Sequence, residues 1–185
     1  MIVDLGSFVQ HEGRPAVRFE RQFRAPLDRV WAAVTDPEQL RVWFPSQVRY
    51  DPVVGGEIAF FGDPNLPEPD EVDRVLVWDP PHRFAFGWGG DEIHLELAET
   101  DDGCRLVLLN VLAQSDTAAR NATGWHGCLA ELAEVVGGRP GGGSHARPVD
   151  EFWPVYAAHI ERGLPHGAWI PDEVLATRPE VTAAD

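Results

Sequence analysis

Apolar and charged residues alternate through AVRFERQFRA, Ala16 to Ala25, the two-residue period of a strand with one solvated face. Pro26 breaks that period and suits the first position of a helix, where a missing N–H needs no partner. Leu27, Val30, Trp31 and Val34 supply the apolar stripe of this short helix. Asp36 ends it and caps a second helix, with Pro37 next and with Leu40, Trp43 and Phe44 as its apolar residues before Pro45. From Gln47 the strand period returns in VRYDPVV, EIAFFG, VDRVLVWD, RFAFGW, IHLELAET and CRLVLLNV. Turn residues separate these runs, among them Gly55 and Gly56, Pro80 and Pro81, Gly89 and Gly90, and Asp101 to Gly103. The pattern predicts an antiparallel meander. Gly62 to Glu71 holds three prolines and four acids and is expected to be an exposed loop, longer than a hairpin needs, of the kind that rims a binding site.

The period then lengthens. In GWHGCLAELAEVV, Trp125, Leu129, Leu132 and Val136 recur at offsets of four, three and four, which places them on one face of a long helix. Ser115 and Asp116 lie in its N-cap region, and Gly137 and Gly138 stop it. An apolar helix face needs a surface to cover, and the preceding strands offer a sheet. The predicted class is α+β with a helix-grip fold: a curved antiparallel sheet wrapped around a long C-terminal helix, with two short helices after the first strand. Residues 1–138 form this domain. Residues 139–148 read as a Gly/Pro-rich flexible linker and 149–185 as a C-terminal extension with one short helix. In that helix Phe152, Tyr156 and Ile160 recur every four residues, and Pro154 requires it to begin close by. A short helix is marginal alone, so the extension is expected to pack on the domain's own outer sheet or on a second copy, making a homodimer.

Composition removes several function classes. The chain has 185 residues and a formal charge of −15, and all 15 of its basic residues are arginine. Without lysine there is no Schiff base, no pyridoxal phosphate anchor and no phosphate-binding loop of the usual kind. The negative charge opposes nucleic-acid binding, which rests on cationic contacts to phosphate. No apolar run approaches the roughly 20 residues of a membrane span, and the N-terminal stretch does not have the form of a secretory signal, so the cytoplasm is the expected compartment. Cys104 and Cys128 have no metal or redox spacing and the seven histidines are scattered, so no metal and no cofactor is expected. There is no GxSxG elbow and no nucleophile beside an obvious base, so no catalytic residue is assigned.

The segments RAPLDRVWAAVTDPEQLRVWF, DPVVGGEIAF, WDPPHRFAFGW and GWHGCLAELAEVV resemble, in this order, the blocks of the family of homologues of the activator of the ninety-kilodalton heat-shock-protein ATPase. That family belongs to the START-like (SRPBCC) superfamily, together with polyketide cyclases, allergen-type lipid binders and lipid-transfer domains. The resemblance runs from about Val17 to Gly138. It implies a deep pocket between sheet and long helix, and it imports no catalytic set.

Such a pocket would bind a small hydrophobic or aromatic molecule. Candidate lining residues are Phe44, Phe60, Trp78, Phe86, Trp88 and Trp125, the competing reading being that these rings simply pack a core. Phe84, Phe86 and Trp88 alternate and share one face, expected to be the concave one. Arg74 lies between Val72 and Leu76 on the face assigned to Trp78, where it would meet an anionic or carbonyl group; otherwise it is a surface arginine paired with an acid. Asn110 shares its face with Leu106 and Leu108, a buried amide needing partners. His126 sits about 100° round the helix from Trp125, at the edge of the stripe. His94 and Glu96 should face away from the apolar side. Two other functions compete: a polyketide-cyclase-like or other activity in the same cavity, with Arg74 or His126 polarising a carbonyl or moving a proton, and a chaperone-cofactor or protein-interaction module.

Overall fold

The computed structural model describes residues 4–63, 70–143 and 151–179. Eight strands, β1 (Ser7–His11), β2 (Arg14–Phe23), β3 (Gln47–Tyr50), β4 (Glu57–Phe61), β5 (Asp70–Asp79), β6 (Arg83–Trp88), β7 (Asp91–Thr100) and β8 (Gly103–Val111), form one antiparallel sheet. Their order is β1-β2-β8-β7-β6-β5-β4-β3. Helices α1 (Leu27–Thr35) and α2 (Pro37–Trp43) lie between β2 and β3, and a 3-10 turn at Ser115–Thr117 leads into α3 (Ala118–Val136). Two further helices, α4 (Phe152–Glu161) and α5 (Asp172–Leu175), follow in the extension. This is the helix-grip α+β arrangement.

Strand β1 precedes the first strand expected from the sequence. Its residues are exposed or half-buried, so SFVQH carries no alternation to read, and it is placed by its hairpin with β2 through Glu12 and Gly13, both at positive φ. On α3 the expected stripe is the buried one, with Trp125, Leu129, Leu132 and Val136 at 3%, 1%, 0% and 8% exposure. Each such side chain contributes roughly 1.5–3 kcal/mol by leaving water. The stripe meets Phe19, Leu106, Leu108, Ile93, Leu95, Phe84 and Phe86 of the sheet in one core. Asp36 caps α2 as expected, its Oδ1 accepting from the Glu38 N–H at 2.9 Å.

The start of α3 corrects the sequence reading. No side chain caps it; instead the Ala119 N–H donates to the carbonyl of Pro165, 2.9 Å away in the extension. The extension lies on α3 rather than on the outer face of the sheet. Its buried residues are Trp153, His159, Leu164 and Ile170, whereas Phe152, Tyr156 and Ile160 are half-buried. The four-residue spacing misses this face because its central member is a histidine. His159, fully buried, accepts from the Gly6 N–H at 3.1 Å through Nε2, and its Nδ1 lies 3.3 Å from Thr123 Oγ1 of α3. Gly6 lets the backbone lie against Phe19 here: a Cβ would stand 2.6 Å from that ring. The first residues of the expected linker are also held, Arg139 by Glu134 and the Gly142 N–H by Glu131. Residues 64–69 of the expected loop and 144–148 of the linker lie outside the described residues; at the loop's start Asp63 is buried, accepting from Ser46 Oγ at 3.4 Å.

Candidate functional site

Five aromatic rings converge at one end of the gap between α3 and the sheet. Phe44, on the connection between α2 and β3, stands at the centre, with ring centroids 6.0 Å from Phe60 of β4, 5.8 Å from Phe86 and 5.4 Å from Trp88 of β6, and 5.7 Å from Trp125 of α3. Trp88 and Trp125 also touch edge to face at 5.6 Å. Phe44, Phe60, Phe86 and Trp125 are buried and Trp88 is half-buried, so the cluster reaches the surface at Trp88. Phe84, Phe86 and Trp88 share the concave face, as their alternation predicts. The pocket implied by the family resemblance is filled at this level by the Phe44 ring, which reaches both walls.

Beside the rings lies a polar network. The β6–β7 hairpin turns on Gly89 and Gly90 alone, both at positive φ, which pairs Trp88 with Asp91 and puts both on the concave face. The Asp91 carboxylate accepts from Asn110 Nδ2 and Asn121 Nδ2, each at 2.9 Å, and from the Ala113 N–H at 2.8 Å. Asn110 Oδ1 in turn accepts from Trp125 Nε1 at 3.0 Å and from Asn121 Nδ2 at 3.2 Å. Asn110 is thus the buried amide that the sequence suggests, with its partners supplied. Burial raises the pKa of Asp91, and the hydrogen bonds from Ala113 and Asn110 oppose the rise. Asp91 and Asn121 escape the sequence reading. The signal for Asp91 is the two-glycine turn, whose register ties it to the face of Trp88.

Two expected members stand elsewhere. Arg74 is exposed on the outer face with Val72 and Leu76, because the register of β5 shifts between Val75 and Val77. That bulge returns Trp78 to the inner face while leaving Arg74 outside, so two-residue counting across it fails. Trp78 is inward but at the far end of the sheet, against Trp31 at 5.4 Å, Phe84 at 5.3 Å and Tyr50 at 5.7 Å. His126 faces the extension, 6.5 Å from the His159 ring between centroids, and not the aromatic cluster. His94 and Glu96 lie on the outer face, where His94 Nε2 meets Glu92 at 3.0 Å. A cavity of about 180 Å³ opens on that same outer face, between Arg83, Glu96, Ala98, Arg105 and Val107. Among the described residues no group of His, Cys, Asp or Glu side chains could hold a metal ion, and no helix is long and apolar enough to cross a membrane.

Residues 24–137 match the family described as Activator of Hsp90 ATPase homolog 1-like protein. No curated protein sequence matches the chain. Among solved structures, CalU16 from Micromonospora echinospora is 23% identical, with a TM-score of 0.63 over 85% of this chain and 91% of its own. The protein encoded by BPP1335 of Bordetella parapertussis is 26% identical, with a TM-score of 0.60 over 89% of this chain and 95% of its own. An AHSA1-like protein from Aeromonas hydrophila is 22% identical, with a TM-score of 0.57 over 66% of this chain and 92% of its own. All three shares of this chain exceed what residues 24–137 alone could supply.

Proposed function

Because the chain belongs to the Activator of Hsp90 ATPase homolog 1-like family, whose helix-grip fold is a ligand-binding scaffold, we propose that it binds a small hydrophobic or aromatic molecule between α3 and the sheet, at the Phe44, Trp88 and Trp125 end. The ligand exchanges places with the Phe44 ring. The observation carrying this reading is where Phe44 comes from. Its neighbours Phe60, Phe86, Trp88 and Trp125 stand on strands and on the long helix, whereas Phe44 follows the last residue of α2 in extended backbone. A swing of that connection withdraws one ring and leaves a site walled by four others.

A small aromatic ligand burying about 150–250 Å² would gain about 4–6 kcal/mol before the costs of association, which corresponds to modest affinity. Binding rather than turnover is favoured by the polar groups at hand. Asp91, the carboxylate of the network, already uses both oxygens on N–H donors. Titration with indole, naphthalene and indane, followed by tryptophan fluorescence and by mass spectrometry of the purified protein for retained small molecules, tests the reading. Saturable quenching that is lost in Trp125→Ala is expected. A fluorescence signal flat across the panel, with nothing retained, would overturn it.

A further inference from the structure

Trp88 stands apart from the three buried indoles, Trp43, Trp125 and Trp153. Trp43 Nε1 donates to the carbonyl of Ala33 at 2.9 Å, Trp125 Nε1 to Asn110 at 3.0 Å, and Trp153 Nε1 to the carbonyl of Val174 at 3.2 Å and to Thr177 Oγ1 at 3.1 Å. The Trp88 ring is half-buried, but its Nε1 is buried and has no hydrogen-bond partner among the described residues. A buried indole N–H normally finds an acceptor. The polar network on the same face does not supply one: the oxygens of Asp91 face Asn110, Asn121 and Ala113, and Asn110 Oδ1 faces Trp125 and Asn121.

This donor belongs to a ring that contacts both Phe44 and Trp125. Building on the ligand-binding reading above, we propose that Trp88 Nε1 is the specificity-determining donor of the site, and that the ligand is an uncharged aromatic molecule carrying one carbonyl-type acceptor. The ring of the ligand replaces that of Phe44, and its oxygen accepts from Trp88. An anion is disfavoured on three counts. One N–H cannot satisfy the two oxygens of a carboxylate, Arg74 is exposed on the opposite face, and the Asp91 carboxylate lies on the same face as Trp88. A ligand without an acceptor would leave the donor unmatched, a penalty of about ten- to a hundredfold in affinity.

The experiment compares 1-indanone with indane, two ring systems of similar shape of which the first alone has a carbonyl. Binding is followed on the 15N-labelled full chain through the indole N–H resonances, that of Trp88 being assigned by its disappearance in Trp88→Phe. The expected result is about ten- to hundredfold tighter binding of 1-indanone, with the Trp88 N–H resonance moving downfield for that compound only. Trp88→Phe keeps an aromatic ring and should bind the two compounds equally. Equal affinities in the wild type with an unmoved Trp88 resonance, as when a water already serves this N–H, would overturn the assignment; so would a preference that survives in Trp88→Phe. If neither compound binds while indole or naphthalene does, the donor assignment fails and the binding reading stands. If nothing in either panel binds, both fall. Should Trp88→Phe not fold, the wild-type affinities and shifts decide, with the resonance assigned through its contacts to the Trp125 ring.

Discussion

Phe44→Ala is the substitution that probes both the packing and the site. The ring is 1% exposed, and five aromatic centroids, those of Trp43, Phe60, Phe86, Trp88 and Trp125, lie 5.4–6.0 Å from its own. A buried Phe→Ala change costs about 3–5 kcal/mol, and the aromatic pairs place this position in the upper half of that range. At a urea dependence of about 2 kcal/mol per molar, the unfolding midpoint should fall by about 2 M with an unchanged slope. Phe44→Leu, which keeps much of the volume, should lose about 1.5 kcal/mol. The space left by the alanine is walled by Phe60, Phe86, Trp88 and Trp125, and apolar cavities of about 150 Å³ take up benzene-sized molecules. Benzene or indole at ten times its Kd should therefore return about 1.4 kcal/mol to the variant. On the proposed exchange of ligand and ring, the variant should also bind such molecules more tightly than the wild type, which would first have to withdraw Phe44. A loss below about 1.5 kcal/mol, or a variant that no apolar ligand restabilises, would refute the view of Phe44 as a ring filling an aromatic-walled site.

Other substitutions separate the parts of the fold. Asp91→Asn sets its amide NH2 against either the Ala113 N–H or the donors of Asn110 and Asn121, whichever way it turns, and should cost about 1–3 kcal/mol in urea unfolding; a neutral result would mean that the network does not hold the β6–β7 turn to α3. His159 has its pKa lowered to about 4, chiefly by burial and next by the nearby His126, so the unfolded chain takes up this proton first as pH falls. Its contribution is complete above the ordinary histidine value near 6.5 and is lost between there and about pH 4, at up to about 1.4 kcal/mol per pH unit. His159→Gln should flatten unfolding free energy against pH over that window, and an unchanged slope would count against the assignment. Leu164→Ala should cost about 2–5 kcal/mol and make the extension sensitive to protease, because Leu164 is 2% exposed within the shared core. Arg74→Ala should change stability by no more than about 0.5 kcal/mol and leave ligand affinity unaltered, and a loss of binding would restore Arg74 to the site.

Periodicity was a reliable guide wherever a segment was buried on one side along its whole length. Trp125, Leu129, Leu132 and Val136 carry a three-to-four spacing that only a helix can bury, and Phe84, Phe86 and Trp88 an alternation that only a strand can share. It failed where the backbone changes phase or where burial does not follow hydrophobicity. The β5 bulge inserts a residue between Val75 and Val77, so Arg74 and Trp78, even in spacing, fall on opposite faces. Strand β1 has no buried face of its own to mark it. Among the described residues of the extension the one buried most deeply is His159, which apolar counting passes over. Of the candidate site, the aromatic rings were legible as a set, but not the contact of a loop-borne Phe44 with both walls. That contact depends on the angle at which α2 delivers its last residue, and no local pattern encodes it.

The hydrogen bond from Gly6 to His159 joins positions 153 residues apart. During synthesis the β1–β2 hairpin is made early, since its strands are neighbours in the chain, yet its pairing edge waits for β8, where Ala16 meets Val111. Even then the segment before β1 has no acceptor for the Gly6 N–H until α4 has emerged, and the first turn of α3 lacks its cap until Pro165 follows. Contacts of such separation slow folding, because the loop must close before any of them stabilises the chain. A chain halted before residue 159 would thus keep β1 paired with β2 and α3 packed on the sheet, but would leave the Gly6 N–H and the first turn of α3 without these partners.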